Sequence, residues 1–292
     1  MHSGLLLLTL SLALIGRWCS QGLLQALPYD PWPRRWMVTL WVFCLPPLML
    51  LVAAVTVLVM GHHGTMMGRG VSPLGCWLGL AILGWGVTVM AVAVVRALYS
   101  QRRWRQYDLI ELPDGGQARC LETPLPVVAQ VGLGRSSLIV SRGWLDQLTP
   151  SEQRATLAHE QAHGDHHDPL GFLILGMVRR FSFWLPHTQS LWEDLLLLRE
   201  IRADQAAARH SDPLLLAELL VKLSRQISLA GQDPASGAWV SFNPDSSTER
   251  LELRVMALIN PSPPPSPVTP GLSFTVWLTV AALPLAALGL HS

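Results

Sequence analysis

Two histidines and a glutamate in the middle of the chain have a spacing that suits a metal ion. Residues 157–163 read Leu-Ala-His-Glu-Gln-Ala-His, so an H-E-x-x-H motif covers His159, Glu160 and His163. In a helix, residues four positions apart lie one above the other on the same face. The two imidazoles would therefore face one ion, and Glu160 beside them could take a proton from a metal-bound water.

Two carboxylates downstream could complete this site. The segment 199–204 reads Arg-Glu-Ile-Arg-Ala-Asp, which places Glu200 and Asp204 four residues apart. We expect Glu200 to be the third zinc ligand and Asp204 to accept a hydrogen bond from the free ring nitrogen of a ligand histidine. The fourth position would be left to water, as in catalytic zinc sites. The alternative is a solvated helix face on which both carboxylates pair with Arg199 and Arg202.

The helix that must carry the histidines has a clear beginning. Thr149 is a capping residue, Pro150 suits the first helical position, and Glu152 completes a capping box. The first turn, residues 151–154, is polar, so this segment is not a transmembrane helix. That argues against a site-two protease, which cuts inside the bilayer and needs its H-E-x-x-H motif in a transmembrane helix. The second pair is predicted to lie on a helix over residues 190–209.

The composition indicates a membrane protein. Half of the residues are apolar and 14% are charged, which is too apolar for an ordinary soluble domain. The net charge of +1 gives no reason to expect a nucleic-acid partner. The four cysteines form no C-x-x-C pair, and we interpret them as small apolar residues rather than as a disulfide set or metal ligands.

Four apolar segments are predicted to cross the lipid bilayer, at about residues 1–18, 36–60, 71–98 and 271–292. A signal peptide is the alternative for the first, but it lacks a basic n-region and a small-x-small cleavage site. Residues 99–260 form a mixed domain, and residues 261–270 form a Pro-rich linker. Arginines cluster after the first and third spans, so the positive-inside rule places the mixed domain in the cytoplasm.

The mixed domain is predicted to be mainly helical with a small β-sheet, which makes the fold class α+β. Residues 127–131 and 137–141 are strand-like and predict a hairpin just before the metal helix. Its edge could hold an extended substrate, or the hairpin could be purely structural. Residues 170–185 are apolar but are interrupted by two arginines. They are too short for a span, and we expect them to pack on the membrane face or under the site.

Together these features resemble the BlaR/MecR-type integral-membrane zinc metallopeptidases. The likeness rests on the layout of spans, on the H-E-x-x-H motif, on Phe-Trp-Leu-Pro at residues 183–186, and on Arg-Glu-x-x-Ala-Asp at residues 199–204. It implies a zincin-like (gluzincin) domain in which zinc is held by His159, His163 and Glu200. Glu160 would be the general base and Asp204 the orienting residue.

The resemblance also implies cleavage of a protein or peptide substrate at the cytoplasmic face, as regulatory proteolysis in a bacterial inner membrane. Sensor members of that family carry a penicillin-binding domain after the last span, and we expect this protein to lack it. We therefore expect any signal to arrive through the membrane segments, the short outer loop, or a membrane or cytoplasmic regulatory partner.

Two other interpretations remain open. The segment Asn243-Pro244, followed by Glu249-Arg250-Leu251, resembles the His-Pro…Arg element of HtpX-type quality-control proteases, with asparagine in place of the histidine. That family usually places transmembrane spans between its two metal motifs. Here the apolar segment between the motifs, residues 170–185, is interrupted by arginines and cannot be a span. The third interpretation is a non-enzymatic signalling scaffold that retains a metal site.

Overall fold

The computed structural model describes residues 2–27, 29, 32–61, 65–66, 69–70, 73–112, 115–132, 137–230, 244–260 and 279–290. The helices are α1 (His2–Gln25), α2 (Trp32–Met60), α3 (Pro73–Trp104), α4 (Arg142–Gln147), α5 (Pro150–Asp165), α6 (Asp168–Phe181), α7 (Thr188–Ala207), α8 (Pro213–Ala230) and α9 (Pro244–Ile259), and a 3-10 helix covers Leu283–Leu290. The strands are β1 (Thr65–Met66), β2 (Arg69–Gly70), β3 (Leu109–Glu111), β4 (Gln117–Leu121), β5 (Val128–Val131) and β6 (Ser137–Ser141).

The chain divides into two compact units. The span unit comprises Met1–Val94, Ile174–Leu195 and Pro264–Ser292, and the site unit comprises Val95–Leu173 and Leu196–Pro263. The boundaries fall inside α3, α6 and α7, so each of these helices begins in one unit and ends in the other.

Three helices of the span unit, α1, α2 and α3, are long and apolar enough to cross a membrane. The first candidate span covers His2–Leu24 and is longer than the predicted segment of residues 1–18. Gly79 has no Cβ, which lets α3 approach α2 closely. A Cβ at this position would lie 3.2 Å from the carbonyl oxygen of Ala54.

The predicted fourth span lies partly outside the described residues, which resume at position 279, and the predicted linker over residues 261–270 lies wholly outside them. The described part ends in the 3-10 helix. Its Ala287 packs in a cluster with Leu6, Ala53 and Val57, which belong to α1 and α2. The 3-10 helix is therefore packed against the first two candidate spans within the span unit.

The site unit contains a small mixed sheet with the strand order β3-β4-β6-β5. Strands β4 and β6 are parallel, and the outer pairs are antiparallel. The predicted hairpin is confirmed, because β5 pairs antiparallel with β6 and places Val128 opposite Val140. Among the described strands, β5 is an edge strand next to α5. One apolar core joins the sheet to α4, α5, α8 and α9 through Val140, Trp144, Ala155, Leu216 and Leu258.

The helices after the sheet mostly follow the predicted pattern. The helix carrying the second acidic pair is α7, which covers Thr188–Ala207 where residues 190–209 were predicted. Residues 170–185 do not form a span; most of them belong to the shorter helix α6, as their interrupted pattern predicts.

Candidate metal site

Helix α5 begins where its sequence predicts. The side-chain oxygen of Thr149 accepts a hydrogen bond from the backbone N–H of Glu152 (3.3 Å), and a Glu152 carboxylate oxygen accepts one from the backbone N–H of Thr149 (2.8 Å). Three turns further on, the helix presents His159, Glu160 and His163. Since Ala155 and Ala162 are buried along the same helix, the orientation of α5 about its axis is determined by packing.

The three predicted ligands lie together. The Nε2 atoms of His159 and His163 are 3.1 Å apart. Glu200 places Oε2 at 3.5 Å from Nε2 of His159 and Oε1 at 3.7 Å from Nε2 of His163. Two ligand atoms bound to one zinc ion at a tetrahedral angle are separated by about 3.4 Å. The side chains therefore fit one metal ion, and the described residues supply three of the four ligands of a tetrahedral site.

Each ligand histidine is oriented by a carboxylate at its other ring nitrogen. Nδ1 of His159 lies 2.9 Å from Oδ1 of Asp204, and Nδ1 of His163 lies 2.6 Å from Oδ2 of Asp168. With a proton on Nδ1, each ring donates to its carboxylate and directs the lone pair of Nε2 toward the shared centre. Asp204 has the position predicted from its spacing, whereas the sequence reasoning missed Asp168.

Both orienting carboxylates are buried and are paired with arginines. Arg254 of α9 donates from Nε to Oδ2 of Asp204 (2.7 Å) and from Nη2 to Oδ1 (2.9 Å). Arg202 of α7 donates to the carboxylate of Asp168. Burial by itself would raise the pKa of Asp204, but Arg254 and His159 outweigh it and lower that pKa. Asp204 is therefore an anion held between its arginine and its histidine.

The charges around the ligands are strongly coupled. Burial disfavours protonation of His159, but hydrogen bonds to Asp204 and Glu200 outweigh it and raise its pKa to about 9. Burial also opposes ionisation of Glu200, but Arg254, His159 and Arg199 together hold its pKa well below the ordinary value. In the absence of a metal, His159 is therefore protonated, and its positive charge takes the place of the charge of an ion.

Glu160 has the environment of a proton acceptor. Its side chain is buried, and burial raises its pKa, although the neighbouring His159 and His163 oppose that shift. The backbone N–H of Gln130 donates to Oε2 of Glu160 at 2.8 Å. A base whose pKa moves toward neutrality can both take and return a proton near pH 7.

The hydrogen bond from Gln130 also defines which edge of β5 faces the site. The carbonyl of Val127 accepts from the backbone N–H of Ser141, so it points toward β6. The backbone groups of successive residues in a strand point to opposite edges. Those of Val128 and Gln130 therefore point away from β6, on the side where Glu160 lies.

Several site residues had no usable signal in the sequence. Asp168 follows His163 only after a turn in which His167 has a φ of 54°, so no helical spacing links them. Arg254 is far along the chain from the residues it contacts. Nδ1 of the exposed His166 lies 2.8 Å from the carbonyl oxygen of Ala162.

Comparison of the chain with protein-family models, with curated proteins and with solved structures gave no match. The resemblance to the BlaR/MecR type stays a prediction that rests on the two motifs and the layout of apolar segments.

Proposed function

We propose that this chain is a membrane-anchored zinc endopeptidase that hydrolyses peptide bonds of a protein substrate at the cytoplasmic face. The single observation that carries the proposal is the placement of Glu160 beside the group formed by His159, His163 and Glu200. A buried carboxylate with a raised pKa next to a three-ligand group with an open position suits hydrolysis better than a closed structural metal site.

Zinc is the ion we propose because two imidazoles and one carboxylate are a donor set of catalytic zinc sites. When bound, zinc would polarise a substrate carbonyl and lower the pKa of a coordinated water to about 7. His159 and His163 would hold the ion through Nε2, with their rings kept in place by Asp204 and Asp168.

Glu160 would move the proton in this reaction. Its carboxylate would accept a proton from the attacking water and deliver it to the leaving amine. The hydrogen bond from the backbone N–H of Gln130 keeps one oxygen of Glu160 in a defined position. A positioned general base of this kind contributes about 10²–10⁴-fold to a rate.

We propose that the outer edge of β5, which pairs with no other described strand, binds the substrate backbone. An extended peptide can add to such an edge through main-chain hydrogen bonds. The groups available on this edge are the N–H and carbonyl of Val128 and the carbonyl of Gln130, which point away from β6. A peptide bound there would lie alongside Glu160, where its scissile bond must be.

The cytoplasmic location rests on charge. Arg102 and Arg103 lie in the last turn of α3, directly after its apolar stretch. Positively charged residues at the end of a span favour the cytoplasmic side. Regulatory proteolysis, rather than general degradation, is what the BlaR/MecR resemblance implies.

The decisive experiment compares new protein N-termini in cells that produce the wild type, Glu160→Gln or Asp165→Asn. Asp165 is an exposed carboxylate on the same helix and serves as the matched control. A fragment should appear with the wild type and with Asp165→Asn but not with Glu160→Gln, while all three purified proteins hold equal amounts of zinc. Cleavage of that substrate by purified Glu160→Gln at the wild-type rate would refute the mechanism, and absence of any fragment with zinc retained would favour the scaffold.

A further inference from the structure

The turn between α6 and α7 belongs to the span unit, although neither helix is both long enough and apolar enough to cross a membrane. The segment Ile174–Leu195 groups with the three candidate spans, whereas the residues on either side group with the site unit. We call residues 181–187 the α6–α7 turn. Its contacts indicate where it lies along the spans.

The turn contacts all three candidate spans near their middles. Leu185 is buried in a cluster with Ala13 of α1 and Leu50 of α2. The ring of Phe181 lies against Gly86 of α3, since a Cβ at Gly86 would be 3.6 Å from that ring. Each partner lies near the middle of the apolar stretch of its helix. A helix that crosses a membrane has its middle in the hydrocarbon core.

Helix α7 leads from this depth to the polar end of α2. Asp194 forms an ion pair with Arg35 (2.8 Å) and accepts a hydrogen bond from the hydroxyl of Tyr29 (3.0 Å). Arg35 lies in the first turns of α2, at the start of its apolar stretch. Thr188 is about 9 Å from Asp194 along the axis of α7. The middle of a hydrocarbon core lies about 15 Å from its surface. If Asp194 is at that surface, Thr188 is about 9 Å deep, and the turn beyond it is close to the middle.

Side chains of the protein satisfy several backbone carbonyls of the turn. The carbonyl of Phe181 accepts hydrogen bonds from the indole N–H groups of Trp85 (3.3 Å) and Trp184 (3.1 Å). The hydroxyl of Thr188 donates to the carbonyl of Leu185 (3.0 Å). Non-helical backbone at membrane depth is tolerated only where other protein groups or water satisfy it. Two indoles and a hydroxyl supply such partners for the carbonyls of Phe181 and Leu185.

The side chains at the tip are large, apolar and uncovered. Phe183 is 68% exposed and Trp184 is 43% exposed. The ring of Phe183 lies 6.4 Å from that of Trp85, which is itself on the exposed side of α3. Exposure of these apolar side chains to water would be energetically unfavourable, whereas contact with lipid acyl chains is favourable.

Two arginines, Arg179 and Arg180, lie in α6 just before the turn, and Arg179 contacts α7. Side chains on a helix lean toward its N-terminus, so those of Arg179 and Arg180 lean back along α6. Arg179 donates to Gln189 (2.7 Å), and its guanidinium lies 5.3 Å from the ring centroid of Trp192 further along α7. Long basic side chains at membrane depth snorkel toward the interface in this way.

We propose that the α6–α7 turn is a re-entrant membrane element. It enters the bilayer on the side where Arg35 pairs with Asp194, reaches about the middle of the hydrocarbon core and returns, with Phe183 and Trp184 in contact with lipid acyl chains. The inference rests on α1–α3 crossing the bilayer and not on peptidase activity.

Cysteine labelling of the full chain in open membrane fragments tests this inference. The four native cysteines are first replaced by alanine, and metal content is checked against the wild type. Single cysteines are then placed at Phe183→Cys, at Val87→Cys on the exposed face of α3, and at Met256→Cys on the exposed face of α9. A membrane-impermeant maleimide should label Met256→Cys at least tenfold faster than the other two, and denaturation in detergent should abolish the difference.

The outcomes separate the possible failures. Labelling of Phe183→Cys at the rate of Met256→Cys, with Val87→Cys protected, would overturn the re-entrant turn alone. Labelling of both Phe183→Cys and Val87→Cys at the rate of Met256→Cys would show that α3 does not cross the bilayer, and this result would also overturn the inference. A measurement on the unmodified chain uses photoactivatable diazirine on lipid acyl chains. Crosslinks should be found on the peptide containing Phe183 and Trp184, and their absence while α3 is crosslinked would also overturn the proposal.

Discussion

Nδ1 of His159 lies 2.9 Å from Oδ1 of Asp204, a carboxylate that is only 1% exposed and is also bound by Arg254. This contact holds the histidine ring from behind, on the side opposite the proposed metal. The orientation of one ligand therefore depends on a residue that would not touch the ion.

Removing the charge of Asp204 should weaken metal binding. Loss of a carboxylate behind a ligand histidine typically costs 10- to 100-fold in metal affinity. We expect a loss of that size for Asp204→Asn, and a similar loss for Asp168→Asn behind His163. Competition with a chelator of known affinity measures both. Asp165→Asn on the same helix should bind like the wild type, and wild-type affinity in Asp204→Asn would contradict this role.

Metal affinity should increase with pH. Asp204 and Glu200 outweigh burial and raise the pKa of metal-free His159 to about 9, so this ring is protonated at pH 7. A metal ion must displace that proton from Nε2. Affinity should therefore rise about tenfold per pH unit from pH 7 to about 9, where the gain ends. Binding titrations in buffers of different ionisation enthalpy would count the released proton, and pH-independent affinity over this interval would refute the assignment.

Removal of Arg254 alone should destabilise the site unit strongly. Arg254→Gln leaves the buried carboxylate of Asp204 without its guanidinium. Breaking a buried pair from one side costs about 3–5 kcal/mol. We expect a clear fall in Tm of the metal-free protein. The control is Arg142→Gln, which removes an exposed partner of Glu122 and should leave Tm unchanged. Equal effects of the two variants would disprove the special role of Arg254.

Gly143 should not tolerate a side chain. A Cβ at this position would lie 2.0 Å from the carbonyl oxygen of Pro124, so the backbone beneath Trp144 would have to move. Overpacking of this kind costs about 1–3 kcal/mol or more. Gly143→Ala should lower Tm and the yield of folded protein. Gly171→Ala in α6 meets no atom within 4 Å and should be neutral or slightly stabilising. A neutral Gly143→Ala would contradict the packing described here.

The parts of the site that could be predicted are those encoded by local spacing. His159 and His163 share a helix face, as do Glu200 and Asp204, and helical geometry brings each pair together without reference to the rest of the fold. The capping box at Thr149 is likewise local, and it places the start of α5 correctly. The meeting of the two pairs was a hypothesis drawn from motif chemistry, and the short distances between Glu200 and the histidines agree with it.

The remaining parts depend on tertiary contacts that leave no local trace. Arg254 contacts Asp204 from a separate helix. Arginines are common on the exposed faces of ordinary helices, so the sequence around Arg254 does not mark it as part of the site. The backbone N–H of Gln130 acts through its position on an edge strand and not through its side chain. The apolar pattern of residues 170–185 predicted packing near the membrane but not a turn at the middle of the spans. That depth follows from contacts with residues such as Leu50 and Gly86.

The excursion of the chain between His163 and Glu200 has a consequence for biogenesis. The ribosome delivers both histidines before the α6–α7 turn and delivers Glu200 after it. A nascent chain that has reached only the histidines holds two ligands, too few for the three that a catalytic zinc site uses. An ion held by all three ligands would therefore be captured late, only after the chain through α6 and the α6–α7 turn has been synthesised.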